Sequence, residues 1–111
     1  MEPKEKQELL RAAEQAYFAT SRTNHRTFTL DGTVYLLSYR SIVAGYNPDT
    51  DTIHLFPYHD YSNTTCRHVY NFFATFKVYG LSAQVRRACY KHSYQTYDYR
   101  KVVLHNEQLC I

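Results

Sequence analysis

The run TFTLDGTVYLLSY, residues 27–39, decides the fold of this chain. Asp31 and Gly32 separate two short runs rich in threonine, valine, tyrosine and leucine, and most of these residue types favour strands. A two-residue type I′ turn needs positive φ at both central positions, and the pair Asp-Gly adopts this conformation readily. The stretch therefore predicts a β-hairpin.

Further strands are indicated on both sides of a short turn that follows the hairpin. SIVAGY, residues 41–46, and TIHLF, residues 52–56, have strand composition, and NPDTD, residues 47–51, predicts the turn between them. Pro57 ends the fourth strand, since proline cannot continue a hydrogen-bonded ladder. A last strand is predicted for RKVVLH, residues 100–105.

Apolar residues at helical spacing predict the helices. One covers residues 4–19, a second runs from about residue 64 to 77, where Gly80 stops it, and a third runs from the cap Ser82 to about residue 91. SRTNHR, residues 21–26, predicts a loop. We predict a single small α+β domain, residues 1–111, with an N-terminal helix, an antiparallel β-meander of about four strands, one or two helices and a C-terminal strand.

The composition is that of a globular domain inside a cell. Of the 111 residues, 44% are apolar and 21% are charged, which does not indicate disorder. No apolar run approaches the roughly 18 residues of a membrane span. The first residues carry acids where a signal peptide has an apolar block. Three cysteines match neither a disulfide framework nor a zinc motif, so we expect free thiols and no metal.

Tyrosines and charges are unevenly distributed. There are twelve tyrosines and no tryptophan, and a core of this size does not need twelve hydroxyl groups that must find partners. Residues 1–60 contain six basic and eight acidic residues, a net charge of −2, whereas residues 61–111 contain seven and two, a net charge of +5. The basic half could attract anions, although such a charge also serves solubility alone.

The strongest site signal lies in YSNTTCRHVYNFF, residues 61–73, where a helix is predicted to begin. A helix start leaves backbone N–H groups unpaired and carries partial positive charge, so cationic side chains there are unfavourable unless an anion binds. Arg67 and His68 lie in this first part of the helix. Together with the hydroxyl groups before them, they predict a phosphate or carboxylate site formed by Ser62, Thr64, Thr65, Arg67 and His68.

Aromatic residues flank this predicted anion site. Tyr39, followed by Arg40, ends the second hairpin strand, and Tyr58 and Tyr61 precede the helix. Rings for a base beside cations for a phosphate suit a nucleotide. A purely structural alternative is equally open.

In that alternative, Asp60 pairs with Arg67 and occupies the helix start, while His68 packs on Phe72. The tyrosines then only cover the edge of the core.

A second surface is indicated nearer the C-terminus. Arg86 and Arg87 place positive charge on the third helix, either as a solvated face or as an anion contact. Tyrosines alternate with polar residues over SYQTYDYRK, residues 93–101, which is a composition frequent in binding surfaces. We expect partner contacts from Tyr94, Tyr97 and Tyr99.

Catalytic signatures are missing from the sequence. It contains no GxSxG, Walker loop, HExxH or zinc pattern. Cys66 and His68 are two residues apart, so on a helix they point in different directions. We therefore expect a protein that is not an enzyme and needs no cofactor.

Residues 31–73 resemble a family of small uncharacterised proteins encoded mainly by bacteriophages. The resemblance rests on the hairpin pattern SYxxxVA, here Ser38-Tyr39 and Val43-Ala44, and on the segment YSxTTxRHxxxF. The latter comprises Tyr61, Ser62, Thr64, Thr65, Arg67, His68 and Phe72. The resemblance implies a phage origin and a recurring Arg-His unit, but it implies no activity.

Three functions follow as expectations. The leading one is a phage counter-defence protein in the host cytoplasm that sequesters an anionic nucleotide-type immune signal, and a homo-oligomer would help to enclose the ligand. The second is a protein-binding inhibitor of a host defence complex such as a CRISPR nuclease. The third is weak nucleic-acid binding, which would depend steeply on salt.

Overall fold

The computed structural model describes residues 1–19 and 23–111 and shows an α+β fold. Three helices, seven strands and a 3₁₀-helix follow one another in this part of the chain. Their order is α1 (Pro3–Ala19), β1 (His25–Leu30), β2 (Thr33–Ser38), β3 (Ser41–Asn47), β4 (Thr52–Leu55), the 3₁₀-helix (Pro57–Asp60), α2 (Asn63–Thr75), α3 (Ala83–His92), β5 (Thr96–Tyr97), β6 (Arg100–Leu104) and β7 (Leu109–Cys110).

The strands form one mixed sheet in the order β1-β2-β3-β4-β6-β5, with β7 paired to β3. Strands β1 to β4 are the predicted antiparallel meander. The predicted turn at Asp31-Gly32 is confirmed, because both residues have positive φ and Leu30 faces Thr33 across it. Strand β6, the predicted C-terminal strand, lies parallel to β4, since helices α2 and α3 carry the chain back between them.

Helices cover both faces of the sheet. On one face, Leu9 and Ala13 of α1 pack against Leu37, Ile42 and Phe56. On the other face, α2 and α3 cover a larger core of thirteen buried residues that includes Leu36, Val43 and Phe73. Alternate residues of one strand therefore enter two different cores, as the pleat of a strand requires.

The two helix starts on the second face form as the sequence predicts. The hydroxyl oxygen of Ser62 accepts a hydrogen bond from the N–H of Thr65, and that of Ser82 accepts one from Val85. Three details differ. Helix α2 ends at Thr75, before Lys77 (φ 62), and not at Gly80.

The second difference from the prediction concerns the loop at residues 21–26. Residues 21–22 lie outside the described residues, and His25 already belongs to β1. The third concerns the buried face of α2. Tyr70, which the helical spacing places there, is 42% exposed, and Phe72 is buried. Among the described helices, none is both long and apolar enough to cross a membrane.

Candidate functional site

A cavity of about 290 Å³ lies between the β2–β3 turn, the 3₁₀-helix and the start of α2. It contains four of the residues that the sequence assigns to a ligand site, Tyr39, Tyr58, Tyr61 and Thr65. The rest of its lining is Ser38, Arg40, Ser41 and Val43. Ligand pockets combine apolar walls with a few placed polar groups, and the three tyrosines, one arginine and several hydroxyls of this cavity are a lining of that kind.

Tyr39 enters this cavity from a strained turn. The β2–β3 turn joins Ser38 directly to Ser41, and Tyr39 has φ 54. Non-glycine residues rarely adopt such a conformation, which costs about 1–3 kcal/mol. Its N–H donates to the carbonyl oxygen of Asn24 at 2.7 Å, which fixes the turn. Tyr39 is 47% exposed, so about half of its surface remains accessible to a ligand.

Tyr58 and Tyr61 form the opposite aromatic wall. Their ring centroids are 5.4 Å apart, and Tyr61 is 73% exposed. Pro57 begins the 3₁₀-helix that brings Tyr58 under Tyr61, because its ring fixes the backbone for the first helical position. The N–H of Tyr58 donates to the side-chain oxygen of Gln108 at 2.7 Å, which holds this wall to the C-terminal segment.

The hydroxyl groups at the start of α2 bind one another. The hydroxyl of Thr65 is 3.2 Å from that of Ser62 and 3.0 Å from that of Ser38. Ser38 in turn lies 3.0 Å from Nδ1 of His68. Ser62 and Thr65 are thus engaged within the protein, whereas Thr64 is only half-buried. The first turn is therefore less open to an anion than the sequence suggests.

His68 lies behind the cavity, at the far end of this hydrogen-bonded chain. Its ring packs at a tilt of 33° against that of His25, with centroids 4.4 Å apart, and is 6.2 Å from the ring of Tyr39. Burial lowers the pKa of His68, and the charges of His25 and Arg67 lower it further. The ring is therefore kept neutral near pH 7, so His68 acts as a hydrogen-bonding group and not as a cation.

The structural alternative for Arg67 is wrong in one respect. Asp60 pairs with Nε of Arg87 at 2.7 Å, so the carboxylate next to the helix start is already engaged by another arginine. Arg67 itself is exposed. Phe72, the packing partner that this alternative gives to His68, lines a neighbouring cavity together with it.

Arg86 is not the surface cation that the sequence predicts. It is 0% exposed, and its guanidinium group donates to Nδ1 of His59 at 3.0 Å and to the carbonyl oxygen of Leu81 at 2.6 Å. Burial lowers the pKa of His59, and the neighbouring charge of Arg86 lowers it further, so His59 can accept this bond. Arg86 therefore has a structural role and cannot contact a partner at the surface.

The C-terminal tyrosines differ in accessibility. Tyr94 is 49% and Tyr99 is 102% exposed, whereas Tyr97 is half-buried and donates its hydroxyl hydrogen to the carbonyl oxygen of Tyr79 at 2.8 Å. Tyr94 and Tyr99 both line a groove of about 910 Å³ beside β6. Of the three tyrosines predicted to contact a partner, two are thus exposed in this groove.

Two further histidines form a pair that the sequence analysis missed. His54 Nδ1 is 3.0 Å from His105 Nε2, and the ring of His105 stacks on Phe56 at 4.2 Å. Burial lowers the pKa of each to about 4. No cluster of three potential metal ligands occurs among the described residues. The pairing could not be foreseen, because it requires the parallel register of β4 and β6.

The fold and the cavity define a small α+β protein with an aromatic cavity at a sheet turn. A family model matches residues 5–96, and the chain therefore belongs to that family, whose description is "Family of unknown function (DUF8033)". No curated protein and no solved structure matches the chain.

Proposed function

We propose that this protein binds an anionic nucleotide-type ligand in the cavity beside the β2–β3 turn, without converting it. Tyr39 carries the proposal. It is held in a costly backbone conformation, presents a half-exposed ring to the cavity, and precedes an arginine that lines the same cavity. Strain of this kind is concentrated at ligand-binding positions.

The cavity offers separate groups for each part of a nucleotide. The rings of Tyr39, Tyr58 and Tyr61 can stack on a base, which is worth about 1–3 kcal/mol per base. Arg40 can reach a phosphate in bidentate fashion. Its guanidinium carbon lies 5.3 Å from the ring centroid of Tyr17, which does not line the cavity, so Arg40 would have to turn away from Tyr17 to meet the phosphate. Arg67 adds a second, exposed cation close to His68.

The biological setting of the proposal follows from the resemblance to small bacteriophage proteins. We propose a phage-encoded factor in the host cytoplasm that sequesters a nucleotide signal of host defence. Thr65 would then line the site, and Ser62 would hold its hydroxyl in place. Arg67, His68 and Thr64 lie outside this lining and would act on the ligand from beyond it. A second subunit could close the open side of the cavity.

The test is thermal stability against a panel of nucleotides, including cyclic and linear nucleotides and ADP-ribose, at two salt concentrations. Bound ligand raises the melting temperature by mass action. We expect a salt-resistant shift with one nucleotide class. In Tyr39→Gly, which removes the ring and relieves the turn, affinity should fall about 10-fold or more.

Tyr99→Gly is the matched control. It makes the same substitution at another strained, exposed tyrosine that lies outside the cavity, so it should leave the nucleotide affinity unchanged. The proposal fails if no nucleotide shifts the melting temperature, or if Tyr39→Gly and Tyr99→Gly bind the nucleotide equally well.

A second candidate function is protein binding through the groove beside β6. Tyr99 favours it, because a fully exposed ring at φ 69 contributes nothing to the core. Tyr94 stacks on His92 at 5.3 Å on the other side of the groove. Inhibition of a host protein that is lost in Tyr99→Gly and retained in Tyr39→Gly would select this function.

A further inference from the structure

A second cavity lies directly behind the first. It has a volume of about 330 Å³ and is formed between strands β1 and β2 and the outer side of helix α2. Its floor is apolar, with Leu36, Phe72 and Phe76, and its rim carries polar groups of His25, Asn71 and Thr75. The second cavity therefore combines an apolar lining with a few hydrogen-bonding groups, which is a lining that suits a base.

One direct contact joins the linings of the two cavities, and the pair of side chains that makes it is called the wall here. Ser38 lines the first and His68 lines the second, and their polar atoms are 3.0 Å apart. Tyr39 of the first cavity and His68 of the second have ring centroids 6.2 Å apart. Ser38 itself is buried, so a small molecule that reaches both cavities has to pass over the rings of Tyr39 and His68, on the outer side of this wall of Ser38 and His68.

The electrostatics of the wall favour an anion above it. Arg40 lines the first cavity, and the charge of Arg67 acts on His68 strongly enough to help lower its pKa. Among the described residues, neither cavity lining contains an aspartate or a glutamate. A phosphate above the wall would thus meet cations and hydrogen-bonding groups but no opposing carboxylate from the linings.

We infer that the ligand has two rings joined through phosphate, a dinucleotide, with one base in each cavity and the phosphate above the wall of Ser38 and His68. The inference rests on the proposed nucleotide binding and adds the number of bases in the ligand, which is two and not one. It also assigns a role to His25, Asn71 and Phe76, which the first cavity does not use.

The test compares AMP and GMP with the linear and 3′,5′-cyclic dinucleotides of adenosine and guanosine by calorimetry. Joining two ligand halves makes the second contact intramolecular, so at least one dinucleotide should bind about 100-fold tighter than its mononucleotide. Asn71→Trp, an exposed position on α2, fills the second cavity and should reduce the dinucleotide affinity to that of the mononucleotide. Tyr70→Trp on the same helix, outside both linings, is the control. It should still bind the dinucleotide more tightly than the mononucleotide.

The outcomes separate the inference from the proposed function. Equal affinity for mononucleotides and dinucleotides, with loss of both in Tyr39→Gly, would overturn the inference and leave nucleotide binding in place. A dinucleotide gain that persists in Asn71→Trp would also overturn it. No binding of any of these compounds would overturn both.

Discussion

Two hairpins of the sheet turn through the same backbone conformation with different residues. Asp31 and Gly32 join β1 to β2 with φ values of 50 and 83. Asp98 and Tyr99 join β5 to β6 with φ values of 50 and 69. Positive φ at both central positions is the type I′ pattern, for which glycine is strongly preferred at the second position. Of these two hairpins, only the first has glycine at that position.

The two hairpins also differ in what they contribute to folding. The first has six paired positions and enters both cores, whereas the second has two, Thr96 with Lys101 and Tyr97 with Arg100. A side chain at positive φ that buries nothing gives no stability in return for its strain. Folding stability therefore gives no reason for a tyrosine at position 99, which is fully exposed, whereas Tyr39 is about half buried.

Their attachment to the rest of the sheet differs as well. The first hairpin continues into antiparallel β3, whereas β6 of the second hairpin pairs in parallel with β4 beside the histidine pair. His54 and His105 are adjacent to this pairing, and the N–H of His105 donates to the carbonyl oxygen of Leu55 at 2.9 Å. The contact between the His54 and His105 rings therefore joins β4 to the residue that follows β6.

Of the changes predicted here, acidification should have the largest effect on the free energy of unfolding. Burial lowers the pKa of His54 and of His105 to about 4, below their usual value of 6.5. The unfolded chain therefore binds more protons between pH 6.5 and 4, so this stability is present above pH 6.5 and is lost as the pH falls through that window. The pKa of His59 is lowered to about 4 as well, so it adds to the same loss. From pH 7 to 5 we expect a loss of about 3–5 kcal/mol in the free energy of unfolding, measured by denaturant titration.

Two variants sharpen this test. His105→Gln removes one of three imidazoles whose pKa is lowered to about 4, those of His54, His59 and His105, and should reduce the loss by about a third. His92→Gln, at an exposed position, should not change it. Hydrogen exchange at pH 5 should show weaker protection in Val102–Leu104 than in Thr33–Ser38. Unchanged stability between pH 7 and 5 would show that neutral histidines do not hold the second hairpin.

Gly32→Tyr should have the next largest effect. It gives the turn of the first hairpin the Asp-Tyr pair that the second hairpin has. The added Cβ atom meets only Asn47 at 3.7 Å, so there is room for it, and the cost is backbone strain at φ 83. We expect a loss of about 1–2 kcal/mol in the free energy of unfolding. A change below about 0.3 kcal/mol would mean that tyrosine is tolerated in this turn and that Tyr99 is not strained.

Local chemistry made much of the fold predictable. Asp31-Gly32 predicted the first hairpin, and Ser62 and Ser82 predicted two helix starts, because each acts within a few residues of the chain. The parallel register of β4 with β6 was not predictable, because it depends on how α2 and α3 return the chain. The placement of His54 against His105 depends on that register and was missed with it.

The candidate site was predictable only in part, for the same reason. Tyr39, Tyr58 and Tyr61 are brought together as the sequence analysis expected. Arg86 and Arg87 are neighbours in the sequence, yet Arg86 is buried against His59 and Arg87 is exposed. A charged residue on a helix is assigned to the surface by default, and only the tertiary packing shows that one of the two faces inward.

Tyr99→Gly should have the smallest effect, and it is of the opposite sign. It converts Asp98-Tyr99 into the Asp-Gly pair of the first hairpin, so strain is relieved while the unfolded chain gains freedom. The balance should raise the free energy of unfolding by about 0.5–1 kcal/mol. If stability falls instead, the exposed ring serves folding, and the protein-binding function loses its main support. If stability rises, glycine stabilises this turn better than the tyrosine that the chain has there. Binding of Tyr99 to a partner is then the first explanation to test.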